Sequence, residues 1–149
     1  MTNVKTSIQL VIFVVFPMLI GGTIYVIARP TSIILFSWLN DLGLESFIIS
    51  IRSVINANDF LNNWTIYNSP ALFWSFSFTC FLGIIWNCNI DLESFSILLI
   101  PMCSGIVAEI LQKTSVINGT FDIVDIRSYI IGGLLGIFII NHRTKIRVT

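Results

Sequence analysis

Between Glu109 and Gly136 the chain reads EILQKTSVINGTFDIVDIRSYIIGGLLG, and its acidic and amide side chains are spaced as a site would need. Glu109 and Gln112 are three residues apart, which puts them on one face of a helix. Asp122 and Asp125 repeat that spacing, and Tyr129 follows Asp125 by four. Three carboxylates and an amide could hold a divalent cation through oxygen ligands. They could serve as an acid–base set if crowding pushes their pKa values apart, or hold a basic or polyhydroxyl headgroup. Nothing in the sequence selects among these, and each residue also has a simpler role. Asp122 or Thr120 can cap the helix that follows. Glu109 can bond Gln112, Arg127 or Tyr129 to fix helix register. Gly132 and Gly136 form a GxxxG pair suited to helix packing. No Ser/His/Asp set accompanies the carboxylates, and His142 lies in a basic tail. Cys80, Cys88 and Cys103 have no metal or redox spacing, and Cys80 and Cys103 sit in apolar runs as small hydrophobes. The sequence therefore assigns no catalytic residue, no metal site and no cofactor. A divalent cation is the one such ligand the carboxylates could take.

The elements that must position these residues are membrane helices. The 149 residues are 55% hydrophobic and only 11% charged, with a mean hydropathy of +0.89; a soluble domain carries about a quarter charged residues. The formal net charge is zero, which excludes a nucleic-acid partner. Apolar runs predict spans over about 7–28, 71–86, 95–112 and 123–140, each near the length that crosses ~30 Å of hydrocarbon. Pro17 should kink the first, and Gly21-Gly22 offers close helix contact. The 31–69 region is apolar but punctuated by Asp41, Glu45, Arg52 and Asp59, and it carries Trp38, Trp64 and Tyr67. It reads as one or two helices lying in or dipping into the interface, with Asn62-Asn63 and Asn68-Ser69-Pro70 as turns. Residues 141–149 form a polar, basic tail.

Four spans place both termini on one side. The tail's Arg143, Lys145 and Arg147, with Lys5, argue that this side is cytoplasmic, against Arg29, Arg52, Lys113 and Arg127 on the other. The short Lys113–Asp122 connection makes the last two spans antiparallel neighbours. Glu109, Gln112, Asp122 and Asp125 should then converge near the outer interface, with Gly132 and Gly136 packed on the third span.

At these residues the chain resembles the VanZ-like family of small bacterial integral membrane proteins. That family carries Glu-x-x-Gln in one transmembrane helix and then Arg-Ser/Thr-Phe-Asp-x-x-Asp-x-x-x-Asn-x-x-Gly-x-x-x-Gly. Glu109 and Gln112 match the first element, and Thr120, Phe121, Asp122, Asp125, Gly132 and Gly136 fall in step with the second. Gly119 stands in place of the arginine, the natural donor to a phosphate or carboxylate, and Tyr129 in place of the asparagine. The match covers the last third of the chain. The resemblance implies an envelope protein of the bacterial inner membrane.

The expectation is an all-α integral membrane four-helix bundle, one domain over 1–149, with an interfacial or re-entrant segment between spans one and two. It would bind or sense a membrane lipid or a lipid-linked or amphiphilic envelope molecule through Glu109, Gln112, Asp122, Asp125 and Tyr129. The alternatives are an oligomeric ion-conducting pore lined by Glu109, and a structural subunit that docks a membrane partner.

Overall fold

The computed structural model describes residues 4–28, 31, 34–57, 63–86 and 91–148. Arg29, Asp59, Asn62 and Cys88 lie outside the described residues. All regular structure among those described is helical.

The chain opens with α1 (Val4–Leu10), a π-helical turn (Val11–Val15) and α2 (Phe16–Ala28). The π turn is how the helix accommodates Pro17. A proline ring presses on the carbonyl four residues back and supplies no N–H. The turn before it widens, and the Phe16 N–H reaches back five residues to the Val11 carbonyl. The expected disturbance at Pro17 is thus a widened turn placed ahead of the proline.

Two short helices follow, α3 (Ile34–Asp41) and α4 (Glu45–Ala57). Gly43, at φ +71°, makes the reversal between them. The Leu44 N–H bonds the Leu39 carbonyl and the Gly43 N–H bonds that of Asn40, both at 2.8 Å, which closes the end of α3. Trp38, Leu42, Phe47 and Val54 are exposed on this hairpin. Arg52 ties it down. Its Nη1 donates to the Val26 carbonyl at 2.9 Å, and its guanidinium lies 5.2 Å from the Phe36 ring centre. Val26 is in the last turn of α2, where carbonyls lack a partner within the helix.

α5 runs from Asn63 to Ile85, with Pro70 inside it. The turn expected at Asn68-Ser69-Pro70 is corrected: Asn68 and Ser69 are buried within the helix. The reason is that α2 covers this stretch. A Cβ on Gly21 would lie 2.9 Å from the Phe73 Cβ and 3.5 Å from the Pro70 carbonyl oxygen. Packing of this closeness lets a helix run through a proline.

The third span is not the straight helix expected over 95–112. It consists of α6 (Leu92–Leu98) and α7 (Ile100–Lys113), bent by 41°. Pro101 causes the break, since it can give no N–H to the Ile97 carbonyl and crowds it. α6 starts earlier than expected because Asp91 and Ser94 form a reciprocal cap. The Ser94 N–H donates to Asp91 Oδ1 at 2.8 Å, and the Asp91 N–H donates to Ser94 Oγ at 2.9 Å. α8 (Ile123–Val148) continues through most of what reads as a tail.

Ile8–Ile27, Tyr67–Ile85 and Ile123–His142 are long and apolar enough to cross a membrane, and the bent α6–α7 pair makes a fourth if counted as one span. Contacts fix their directions. Leu10 and Val14 meet Ile84 and Ile140, while Gly21 meets Pro70, so α2 is antiparallel to α5. Gly105 meets Tyr129 and Gly133 meets Met102, so α7 is antiparallel to α8. α5 and α8 run parallel, with Gly132 against Leu72, Gly136 against Thr79 and Ile140 against Gly83.

This last row corrects the expected partner of the GxxxG pair. Gly132 and Gly136 seat on α5, not on the third span. A Cβ on Gly132 would collide with the Leu72 carbonyl oxygen and lie 3.1 Å from the Phe76 nitrogen. It is Gly133 that faces α7, 3.1 Å from the Met102 Cβ by the same construction. Small residues on α5, Ser75 and Thr79, complete the close approach. Cys80 is also fully buried there, whereas Cys103 is exposed.

Two outcomes test this architecture. Gly132→Ala should cost about 1–3 kcal/mol by overpacking and lower the unfolding midpoint in detergent by several degrees. Gly22→Ala, with nothing within 4 Å of the added Cβ, should not lower the midpoint, since Ala favours a helix interior over Gly. The second concerns Asp91, whose carboxyl is held below its ordinary 3.8 by the Ser94 N–H and then the Ser94 hydroxyl. A depressed folded pKa means that the cap's pH-dependent contribution is present above 3.8 and is lost as pH falls through the lower folded value. Asp91→Asn should remove that acid dependence of α6, read by hydrogen exchange of the Phe95 amide.

Candidate functional site

The α7–α8 connection is built around Glu109. α7 ends in a reversal at Ser115, a non-glycine residue at φ +57°. The Val116 N–H bonds the Leu111 carbonyl and the Ser115 N–H bonds the Gln112 carbonyl, both at 3.0 Å. Gly119 follows at φ +150°, and the Gln112 side chain lies against it. A Cβ there would sit 2.6 Å from the Gln112 Cδ. A side chain at position 119 would meet a strained backbone at this φ and would displace the Gln112 side chain.

The chain then turns into α8. Asp122 caps it, accepting the Val124 N–H on Oδ1 at 2.8 Å, so the capping role foreseen for Asp122 is met. The N–H of Asp122 itself donates to Glu109 Oε2 at 3.0 Å. Glu109 is only 3% exposed, so this bond is made out of water. It fixes the register of α7 against α8, but through the Asp122 backbone, not through the Gln112, Arg127 or Tyr129 partners foreseen. Glu109 and Asp122 meet at the N-terminus of α8, where the helix dipole favours negative charge. Lys113 reaches the same connection, its Nζ 5.0 Å from the Phe121 ring centre. Among the described residues, no three His, Cys, Asp or Glu side chains are gathered as a metal site would need.

Asp125 and Tyr129 belong to different surroundings. They line an open cavity of about 870 Å³ bordered by α2, α4, α5, α7 and α8, within the ~300–1,000 Å³ range of small-molecule sites. Gly22, Thr23, Tyr25 and Val26 supply the α2 wall, and Ile48 and Ile51 of α4 supply another. Tyr67, Ala71 and Trp74 come from α5, and Ser104 and Ala108 from α7. Asp125 is 9% exposed, and among the described lining residues its carboxylate is the one acidic group in a largely apolar wall. Among the described residues lining it there is no Lys, Arg or His.

Tyr129 is held from two sides. Its ring fills the space over Gly105, where a Cβ would lie 2.5 Å from ring carbons. Its backbone carbonyl accepts the Ser75 hydroxyl at 2.8 Å. The five residues singled out from the sequence thus divide. Glu109, Gln112 and Asp122 brace the α7–α8 connection, while Asp125 and Tyr129 face the cavity. Sequence reasoning missed the α2, α4 and α5 walls. The Gly21-Gly22 pair was the available signal: Gly21 packs on α5 and Gly22 opens on the cavity.

Comparisons with protein-family profiles, with curated proteins and with solved structures return no match.

The division can be measured. Glu109→Ala should remove the bond to Asp122, cost about 1.5–3 kcal/mol as a charge-assisted bond does, and speed hydrogen exchange at the Asp122 amide. Asp125→Asn should leave that amide's protection as it is.

Proposed function

We propose that this chain is a four-span protein of the bacterial inner membrane that binds a membrane lipid or a lipid-linked or amphiphilic envelope molecule, in the manner expected of a VanZ-like protein. The observation that carries the reading is the cavity: an apolar chamber with one buried carboxylate and one fixed tyrosine at its wall. An intramembrane carboxylate is expensive and normally faces a functional interior. An amphiphile suits such a chamber, its chain against Val26, Ile48 and Ile51 and its polar group at Asp125.

The alternating directions of α2, α5, α7 and α8 support four crossings, with α6–α7 as one bent span and both termini on one side. The exposed apolar side chains of α3 and α4 support an interfacial seat for that hairpin. The basic residues at the end of α8 support a cytoplasmic position for the termini. The cavity would then open towards the outer leaflet.

Gly22 provides the test, because it lines the cavity and a Cβ added there has nothing within 4 Å. Gly22→Leu and Gly22→Phe should keep the wild-type unfolding midpoint and lose most of the amphiphile that copurifies with the protein, measured by mass spectrometry of solvent extracts. Equal amounts of the same molecule in wild type and both variants would refute the reading.

A further inference from the structure

The cavity's wall specifies the charge of what it takes, given the binding role just proposed. Four aromatic rings border it, those of Tyr25, Tyr67, Trp74 and Tyr129, together with the Asp125 carboxylate. Aromatic faces attract cations through the ring quadrupole, and rings combined with an anionic group are how proteins hold quaternary ammonium groups. No Lys, Arg or His is among the described lining residues, and the Arg52 guanidinium beside the wall is engaged by the Val26 carbonyl and the Phe36 ring.

We propose that the occupant is an amphiphile with a net positive, alkylammonium-class headgroup, its ammonium set among these rings beside Asp125 and its chain along the apolar wall. A positively charged group moved out of water needs an opposite charge close by, and Asp125, nine-tenths buried at the first turn of α8, supplies it. A zwitterionic phosphocholine head would bring a phosphate that no cationic side chain in the wall can receive. It should bind more weakly than the bare ammonium. An anionic head should be rejected by Asp125.

The test uses the full-length protein in neutral maltoside micelles and three probes with the same hexadecyl chain, bearing trimethylammonium, phosphocholine or sulfate heads. Binding is read by native mass spectrometry and by competition against a fluorescent trimethylammonium amphiphile. The expected order is trimethylammonium, then phosphocholine, then sulfate. Asp125→Asn should weaken the trimethylammonium probe about tenfold, the scale of one partly desolvated charge contact, and leave the phosphocholine probe less affected. Tyr129→Phe, which keeps the ring over Gly105, should retain the order. Gly22→Phe should exclude all three probes. Equal binding of trimethylammonium and phosphocholine, or tighter binding of sulfate, would overturn the charge assignment while leaving the cavity a binding site. Binding of every probe undiminished by Gly22→Phe would instead overturn the cavity reading itself.

Discussion

The approach of α8 to α5 at Gly132 is the contact on which the remaining geometry depends. The α8 backbone at this point rests against the Leu72 carbonyl, with no space for a methyl group between them. In lipid there is little hydrophobic drive to bring helices together, so contact of this closeness supplies the attraction through dispersion and complementary shape. It also sets the rotation of α8. With Gly132 and Gly136 on α5, Gly133 is presented to α7, and Tyr129, a turn earlier, presents its carbonyl to Ser75 and its ring to Gly105. A different rotation would take Asp125 away from the cavity.

α7 and α8 meet differently. Their approach is padded by the Tyr129 ring and the Met102 side chain, and it is fixed at one end by Glu109. A buried carboxylate that accepts a backbone N–H at a helix start satisfies two needs at once: its own charge and a donor the helix leaves unused. That arrangement leaves Glu109 at the connection and Asp125 as the one acidic group among the described residues of the cavity wall. The polar residues of one short sequence stretch have thereby separated into a brace and a cavity wall.

Much of the architecture was legible in the residues. Apolar runs at spanning length gave the long helices, and charge among apolar runs marked off the 31–69 region, whose described residues form α3, α4 and the start of α5. The reading faltered where local chemistry was outweighed by packing. Asn68-Ser69-Pro70 carries every mark of a turn, yet Gly21 of a distant segment lies against it and the helix continues. Adjacency in sequence suggested that the GxxxG pair would meet the third span, but α5 and α8, separated by the bent α6–α7 pair, made the closer contact. Spacing correctly linked Glu109 to Asp122 as neighbours across the connection. It could not separate Asp125 from them, because that separation rests on the rotation of α8, which is set by α5. The chamber was illegible for the same reason: its walls come from five helices, and no local pattern joins Gly22 to Ile51 or Trp74.

The parallel pairing of α5 with α8 has a consequence for how the protein is made. Segments leave the ribosome in order, and α5 emerges two helices before the one that covers it. Until α8 arrives, the face bearing Ser75 and Thr79 has only lipid or a chaperone to meet, and the later hairpin must swing α8 past α7 to reach it. The bundle is therefore completed from its last helix inward. A nascent chain stopped short of residue 132 would hold its spans without the contact that locks them.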